Sequence, residues 1–138
     1  MARDAFHGAA KRALIKDGWI ITHDPLNLKL NDGTEIFIDL GAERMIAAEK
    51  NGMKIAVEVK NFISASAYHE FHTALGQFLN YREVILQIDP DRDLYLTVPI
   101  ETYQGLFQRE TIRRVIDRYD VKLVIFDPYN EEVVSWQK

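Results

Sequence analysis

Asn51-Gly52 is the point to which the rest of the chain has to accommodate itself. This dipeptide is a strong type I′ turn signal, because both loop positions of that turn need a positive φ. After it comes Met53–Val57, an apolar run broken only by Lys54, and then Glu58-Val59-Lys60. Before it, Arg44–Lys50 fits helix or strand, and the turn with a strand beyond it decides for strand. With Asn51 and Gly52 as the loop, Lys50 faces Met53, Met45 faces Glu58 and Glu43 faces Lys60. Side chains alternate along a strand, so Glu58 and Lys60 share one face while Val57 and Val59 point into a core. Gly41 marks a kink or bulge, and a bulge there alters the register on its upstream side.

The elements around this Glu35–Phe62 region follow from periodicity. Residues 3–17 predict a helix whose buried stripe is Phe6, Ala10, Ala13 and Leu14, widened by Ala9 and Ile15, with Gly18 at its stop. Trp19–Thr22 predicts a short strand, and Asp24-Pro25 a turn. Leu26, Leu28 and Leu30 alternate with polar residues. They predict a strand that turns at Asn31-Asp32-Gly33 and pairs with Glu35–Leu40. Ser64 and Ser66 are candidate caps for a helix over 67–88, with Phe71, Leu75, Phe78, Leu79 and Val84 inward and Gly76 allowing close packing. Leu94–Val98 and Val121–Phe126 predict buried strands, Glu101–Tyr119 the helix between them, and Glu132–Trp136 an edge strand. The order α, antiparallel strands, α, β, α, β predicts an α/β fold, a mixed β-sheet flanked by helices, formed by residues 1–138 as a single domain.

Composition removes several classes of function. There is no cysteine, so there is no disulfide, thiolate metal site or cysteine nucleophile. No apolar run approaches a membrane span, and the first residues lack a signal-peptide core, so the expected location is cytoplasmic and no membrane partner is expected. The net charge of −4 gives no general attraction to nucleic acid, so a DNA partner requires a local basic surface. Arg109, Arg113, Arg114 and Arg118 offer one. Glu110, Asp117 and Asp120 interleave with them, as on a solvated helix face. Tyr95, Tyr103, Phe107 and Trp136 have core-like spacing, and Trp19 and Phe37 also read as core. His69 and His72 are three apart but lack a third metal ligand.

The chemistry concentrates at the end of the central hairpin. Asp39 precedes Glu58 by nineteen positions and shares the parity of Glu43, which lies opposite Lys60 on the same face as Glu58. Two carboxylates can hold a hard divalent cation, and the Val59 carbonyl can add a third oxygen. Such a cation binds phosphate and activates water, while Lys60 can orient that water or neutralise developing charge. That set suits phosphodiester hydrolysis. A Glu-x-Lys triplet by itself also describes a surface ion pair on an amphipathic strand. Gln77 and Tyr81 share a helical face on the next helix.

Asp39, Glu58, Lys60, Gln77 and Tyr81, in that order, resemble the PD-(D/E)xK nuclease superfamily, whose Asp and E-x-K are followed in some branches by Q-x-x-x-Y. Ile38 stands where the superfamily has its leading Pro. The long Asp39-to-Glu58 spacing leaves either Asp39 or Glu43 as the metal acid. Members with an extra residue on the first helix use Glu or His, which would make His7 its equivalent. ARDAFH, DGWIITHDPL, FIDLGAERMIAAEK, IAVEVKNF, ALGQFLNY and RDLYLTVP together are similar to the XisH family, the excision controlling factors of the fdxN element known from cyanobacteria.

The resemblance implies a restriction-endonuclease-like three-layer sandwich with Mg²⁺ or Mn²⁺ as cofactor. It also implies a part in site-specific removal of a DNA element, alongside a recombinase and a small partner, XisI. Asp39, Glu58 and Glu43 would serve the metal, Lys60, Gln77 and Tyr81 the chemistry, and Arg109, Arg113 and Arg114 the DNA. A homodimer would suit cutting of two strands. Two alternatives stay open: a catalytically silent accessory protein that binds XisI or a recombinase, and an antitoxin-like or defence-associated module.

Overall fold

A computed structural model describes residues 3–33, 35–36, 45–62 and 66–138 of the protein. The first helix, α1 (Arg3–Lys16), ends because Gly18 adopts φ 96°, which a side chain resists. The Gly18 N–H then reaches the Ile15 carbonyl and the Trp19 N–H the Leu14 carbonyl, both at 3.0 Å. This is a Schellman closure, and it folds buried Trp19 back over buried Leu14. Ile15, placed by periodicity on the inner stripe, is exposed: the crossing helix buries only the narrower stripe of Phe6, Ala9, Ala10, Ala13 and Leu14.

Strand β1 (Ile20–His23) follows. A small separate ribbon comes next, β2 (Leu28–Lys29) against β3 (Glu35–Ile36), antiparallel and paired Leu28 to Ile36. The strand expected over Leu26–Leu30 is therefore short. The Leu26 N–H instead donates to the Met45 carbonyl at 2.7 Å. Strands β4 (Met45–Lys50) and β5 (Met53–Glu58) form the predicted hairpin, with Lys50 opposite Met53 and Met45 opposite Glu58. Asn51 and Gly52 take φ values of 50° and 80°, as the turn requires. Gly41 and Phe37, and the expected pairing of Glu43 with Lys60, lie outside the described residues.

After the hairpin come α2 (Ala67–Ile88), β6 (Arg92–Pro99), α3 (Ile100–Gln104), a 3₁₀ turn (Leu106–Gln108), α4 (Glu110–Arg118), β7 (Leu123–Asp127) and β8 (Glu132–Gln137). The main sheet has six strands in the order β1-β4-β5-β6-β7-β8. Its central strands β5, β6 and β7 are parallel, and antiparallel pairs extend it on both sides. The single helix expected over Glu101–Tyr119 is broken in two. Phe107 and Ile112 are five apart and would diverge by about 140° on one helix. The interruptions at Gly105 and Arg109 let both bury, with Phe107 edge-on to Phe62 and Phe71. Tyr119, read as part of that helix's apolar side, lies just past the end of α4 and is exposed.

The sheet is covered on both faces. On one, α2 and α4 enclose Phe71, Phe78, Tyr81, Ile112 and the inward residues Ala56, Leu94, Leu96 and Ile125. On the other, α1 covers Ile46, Ile55, Val57, Val59, Tyr95 and Phe126. Gly76 of α2 faces open space, so it makes no close approach to the sheet. No helix among the described residues is long and apolar enough to cross a membrane.

Candidate functional site

The three parallel strands run the same way, so Glu58, Pro99 and Asp127 are their carboxyl ends at one edge of the sheet, with Glu58 level with Leu96. Strand β1 is antiparallel to β4, hence runs with β5 and ends at the same edge. Alternation sends Val57 and Val59 into the α1-side core, so Glu58 and Lys60 belong to the α2 face. Both are nearly sealed from solvent, at 4% and 3% exposure. The Lys60 ammonium lies 3.4 Å from a carboxylate oxygen of Glu70, in the first turn of α2. That turn is held by Ser66, whose hydroxyl accepts from the His69 N–H at 3.3 Å.

Where the β5–β6 ladder ends, at Glu58 opposite Leu96, a side chain continues it. The Thr97 hydroxyl accepts from the Lys60 N–H at 3.0 Å and donates to the Glu58 carbonyl at 3.1 Å. Gln77 is half-buried and Tyr81 buried on α2. Helical rise sets them about 10 and 16 Å beyond Glu70 along the axis, away from the carboxyl edge.

His7 lies on α1, and so across the sheet from Glu58 and Lys60. It is buried, with Nε2 2.8 Å from Asp24. Lys11 is 2.9 Å from the other oxygen of that carboxylate. Burial opposes ionisation of Asp24, but Lys11 and His7 outweigh it and hold the carboxyl below its ordinary range. On this side of the edge there is a cavity of about 250 Å³ walled by Phe6, Asn61, Pro99, Thr102 and Tyr129.

Arg109, Arg113 and Arg114 are exposed around α4, with Arg114 paired to Glu110 at 2.7 Å. His69 and His72 are exposed, and His72 packs its ring against Tyr68. Tyr95 and Phe107 are buried, whereas Tyr103 and Trp136 are half-buried and packed on the two cores.

Asp39 and Glu43 lie outside the described residues, among which no three His, Asp or Glu side chains cluster as metal ligands. Sequence reading missed Glu70 and Thr97. For Thr97 there was a signal, an aliphatic hydroxyl inside the buried run Leu94–Val98. Glu70 looked like any acid in a first helical turn.

A family model described as XisH protein matches residues 1–134. The chain is similar to a crystal structure of a fdxN element excision controlling factor protein from Anabaena variabilis. The two are 45% identical over 98% of this chain and 99% of that one, with a TM-score of 0.89. It is equally similar to an XisH family protein from Nostoc punctiforme PCC 73102, at 45% identity over 98% and 100% of the two chains, TM-score 0.89. No curated protein sequence matches it. The extent of the family match and the likeness of both solved structures lead to one conclusion: this chain belongs to the XisH family.

Proposed function

We propose that the protein is a divalent-cation-dependent endodeoxyribonuclease of the PD-(D/E)xK type, with a restriction-endonuclease-like sandwich, acting in controlled excision of a DNA element. One observation carries this reading: Glu58 and Lys60 are opposite charges, both almost completely buried, on one face at the carboxyl edge of parallel strands. Burying charge is costly, so a fold that retains two such groups has a use for them. The carboxyl edge is also where open α/β sheets bind ligands. The excision role rests on family membership and on the name of the Anabaena variabilis relative.

The donor set fits a hard cation: the Glu58 carboxylate, the Val59 carbonyl, and Asp39 or Glu43 as the further acid. Mg²⁺ or Mn²⁺ bound there would supply Lewis acidity toward the scissile phosphate. Lys60 positions the attacking water and offsets charge developing on the phosphate, and Glu70 holds the ammonium in place. Gln77 and Tyr81 shape the α2 wall, and Arg109, Arg113 and Arg114 contact the DNA backbone.

The test is incubation of the purified protein with supercoiled plasmid and Mg²⁺ or Mn²⁺, alone and with XisI. The expected result is metal-dependent nicking that disappears in Lys60→Ala while the circular dichroism spectrum is retained. Nicking that persists in Lys60→Ala overturns the mechanism. A second reading, a silent accessory protein that binds XisI or a recombinase, is favoured by the net charge of −4. It predicts tight partner binding with no nicking under either metal.

A further inference from the structure

Thr97 is 1% exposed and stands within a strand whose neighbours Leu96 and Val98 are buried and apolar. A buried hydroxyl costs free energy unless its hydrogen bonds are made, and valine would fill nearly the same volume. Thr97 makes both kinds of bond, and both go to the Glu-x-Lys segment: it accepts from the Lys60 N–H and donates to the Glu58 carbonyl. These two groups flank Val59 and project to the same side of β5, toward β6.

The peptide unit is planar and trans, so the Val59 carbonyl points opposite to the Lys60 N–H. Tying that N–H to Thr97 therefore aims the Val59 carbonyl away from β6, to the β4 side of β5, just beyond the last ladder pair Met45–Glu58. The same two bonds set the backbone from which the Glu58 and Lys60 side chains spring.

We propose that Thr97 is a positioning residue for the site: its hydroxyl clamps Glu58-Val59-Lys60 and aims the Val59 carbonyl as an oxygen ligand for a divalent cation. This rests on the reading of Glu58 as a metal ligand. Thr97 touches neither metal nor substrate and acts only through the backbone it holds.

The experiment compares full-length wild type, Thr97→Val, Thr97→Ser and Glu58→Gln by three measurements. These are Mn²⁺ affinity by electron paramagnetic resonance, exchange of the Lys60 amide by NMR without metal, and thermal melting. Thr97→Val should weaken Mn²⁺ binding about tenfold, as loss of a group orienting a ligand does. It should also speed Lys60 amide exchange about fivefold, the equivalent of one net hydrogen bond. Thr97→Ser keeps the hydroxyl and should restore both, whatever its melting temperature. If Thr97→Val does not fold, Thr97→Cys, of similar volume with only a weak donor, is measured in its place.

Wild-type affinity and exchange in the valine or cysteine variant overturn the clamp. If Glu58→Gln abolishes Mn²⁺ binding in that same series, the metal site still stands. A wild type that binds no Mn²⁺ overturns both.

Discussion

Lys60 is an ammonium almost sealed from solvent, and Glu70 is a counter-charge 3.4 Å away across the gap between strand and helix. Removing one partner of a buried pair leaves the other less well compensated. Glu70→Ala should therefore lower stability by about 2 kcal/mol in urea unfolding, discounted from a fully buried pair because Glu70 is part-exposed. Glu70→Gln keeps an oxygen acceptor beside the ammonium and should recover part of that loss. Equal destabilisation in the two variants would sink this account. At this scale the sequence was informative on parity: alternation along Met53–Lys60 told Val57 and Val59 from Glu58 and Lys60. It was silent on Glu70, because nothing local says which helical acid will meet a lysine ten residues upstream once the chain has turned.

The elements obey local rules where a special backbone conformation is required. Asn51-Gly52 fixed a register that the ladder follows pair by pair from Lys50–Met53 to Met45–Glu58. Gly18 closes α1 with φ 96°, and a Cβ there would meet the Lys50 side chain at 3.1 Å. Gly18→Ala should cost about 1–2 kcal/mol in thermal or urea unfolding. Reading failed over Glu101–Tyr119, where one helical period was assumed. The burial of Phe107 between Phe62 and Phe71 is a tertiary demand, and it outweighs local continuity.

Asp89, at the end of α2, ties three elements. It accepts from Lys54 of β5 at 2.6 Å and Arg92 of β6 at 3.0 Å, and Arg92 also donates to the Ile55 carbonyl at 2.9 Å. Its hydrogen bond with Lys54, aided by Arg92 and opposed by partial burial, holds the carboxyl below the ordinary aspartate range. The unfolded chain thus binds this proton more readily, so the contribution is complete above the ordinary aspartate range and is lost as pH falls through the depressed value. Asp89→Asn should be destabilised by about 1 kcal/mol at pH 7 and converge on wild type once the pH has fallen through the depressed Asp89 value. A difference that does not narrow in acid would count against the assignment.

Across the whole molecule, two helical layers enclose a sheet whose parallel centre brings separate strand ends to one edge. The order of helices and strands, and their mixed pairing, was legible because each apolar run had an appropriate length and a turn signal at its end. The separation of β2–β3 into its own ribbon was not, since hydrogen-bond partners across a loop leave no local trace. An acidic protein that binds DNA must do so through a patch. Arg109→Ala/Arg113→Ala/Arg114→Ala should lower the slope of log affinity against log salt by about three, one per lost phosphate contact. An unchanged slope would move the DNA to another surface.

The packing of α1 has a consequence for how the chain is made. Phe6 meets Phe126, Trp19 meets Trp136, and Arg12 and Lys16 bind Glu131 and the Asn130 carbonyl. A nascent chain leaves the ribosome amino end first, so these early residues wait for surfaces translated more than a hundred codons later. One half of the interior thus stays open until β7 and β8 have been made, and it closes in a late step that docks α1 onto them.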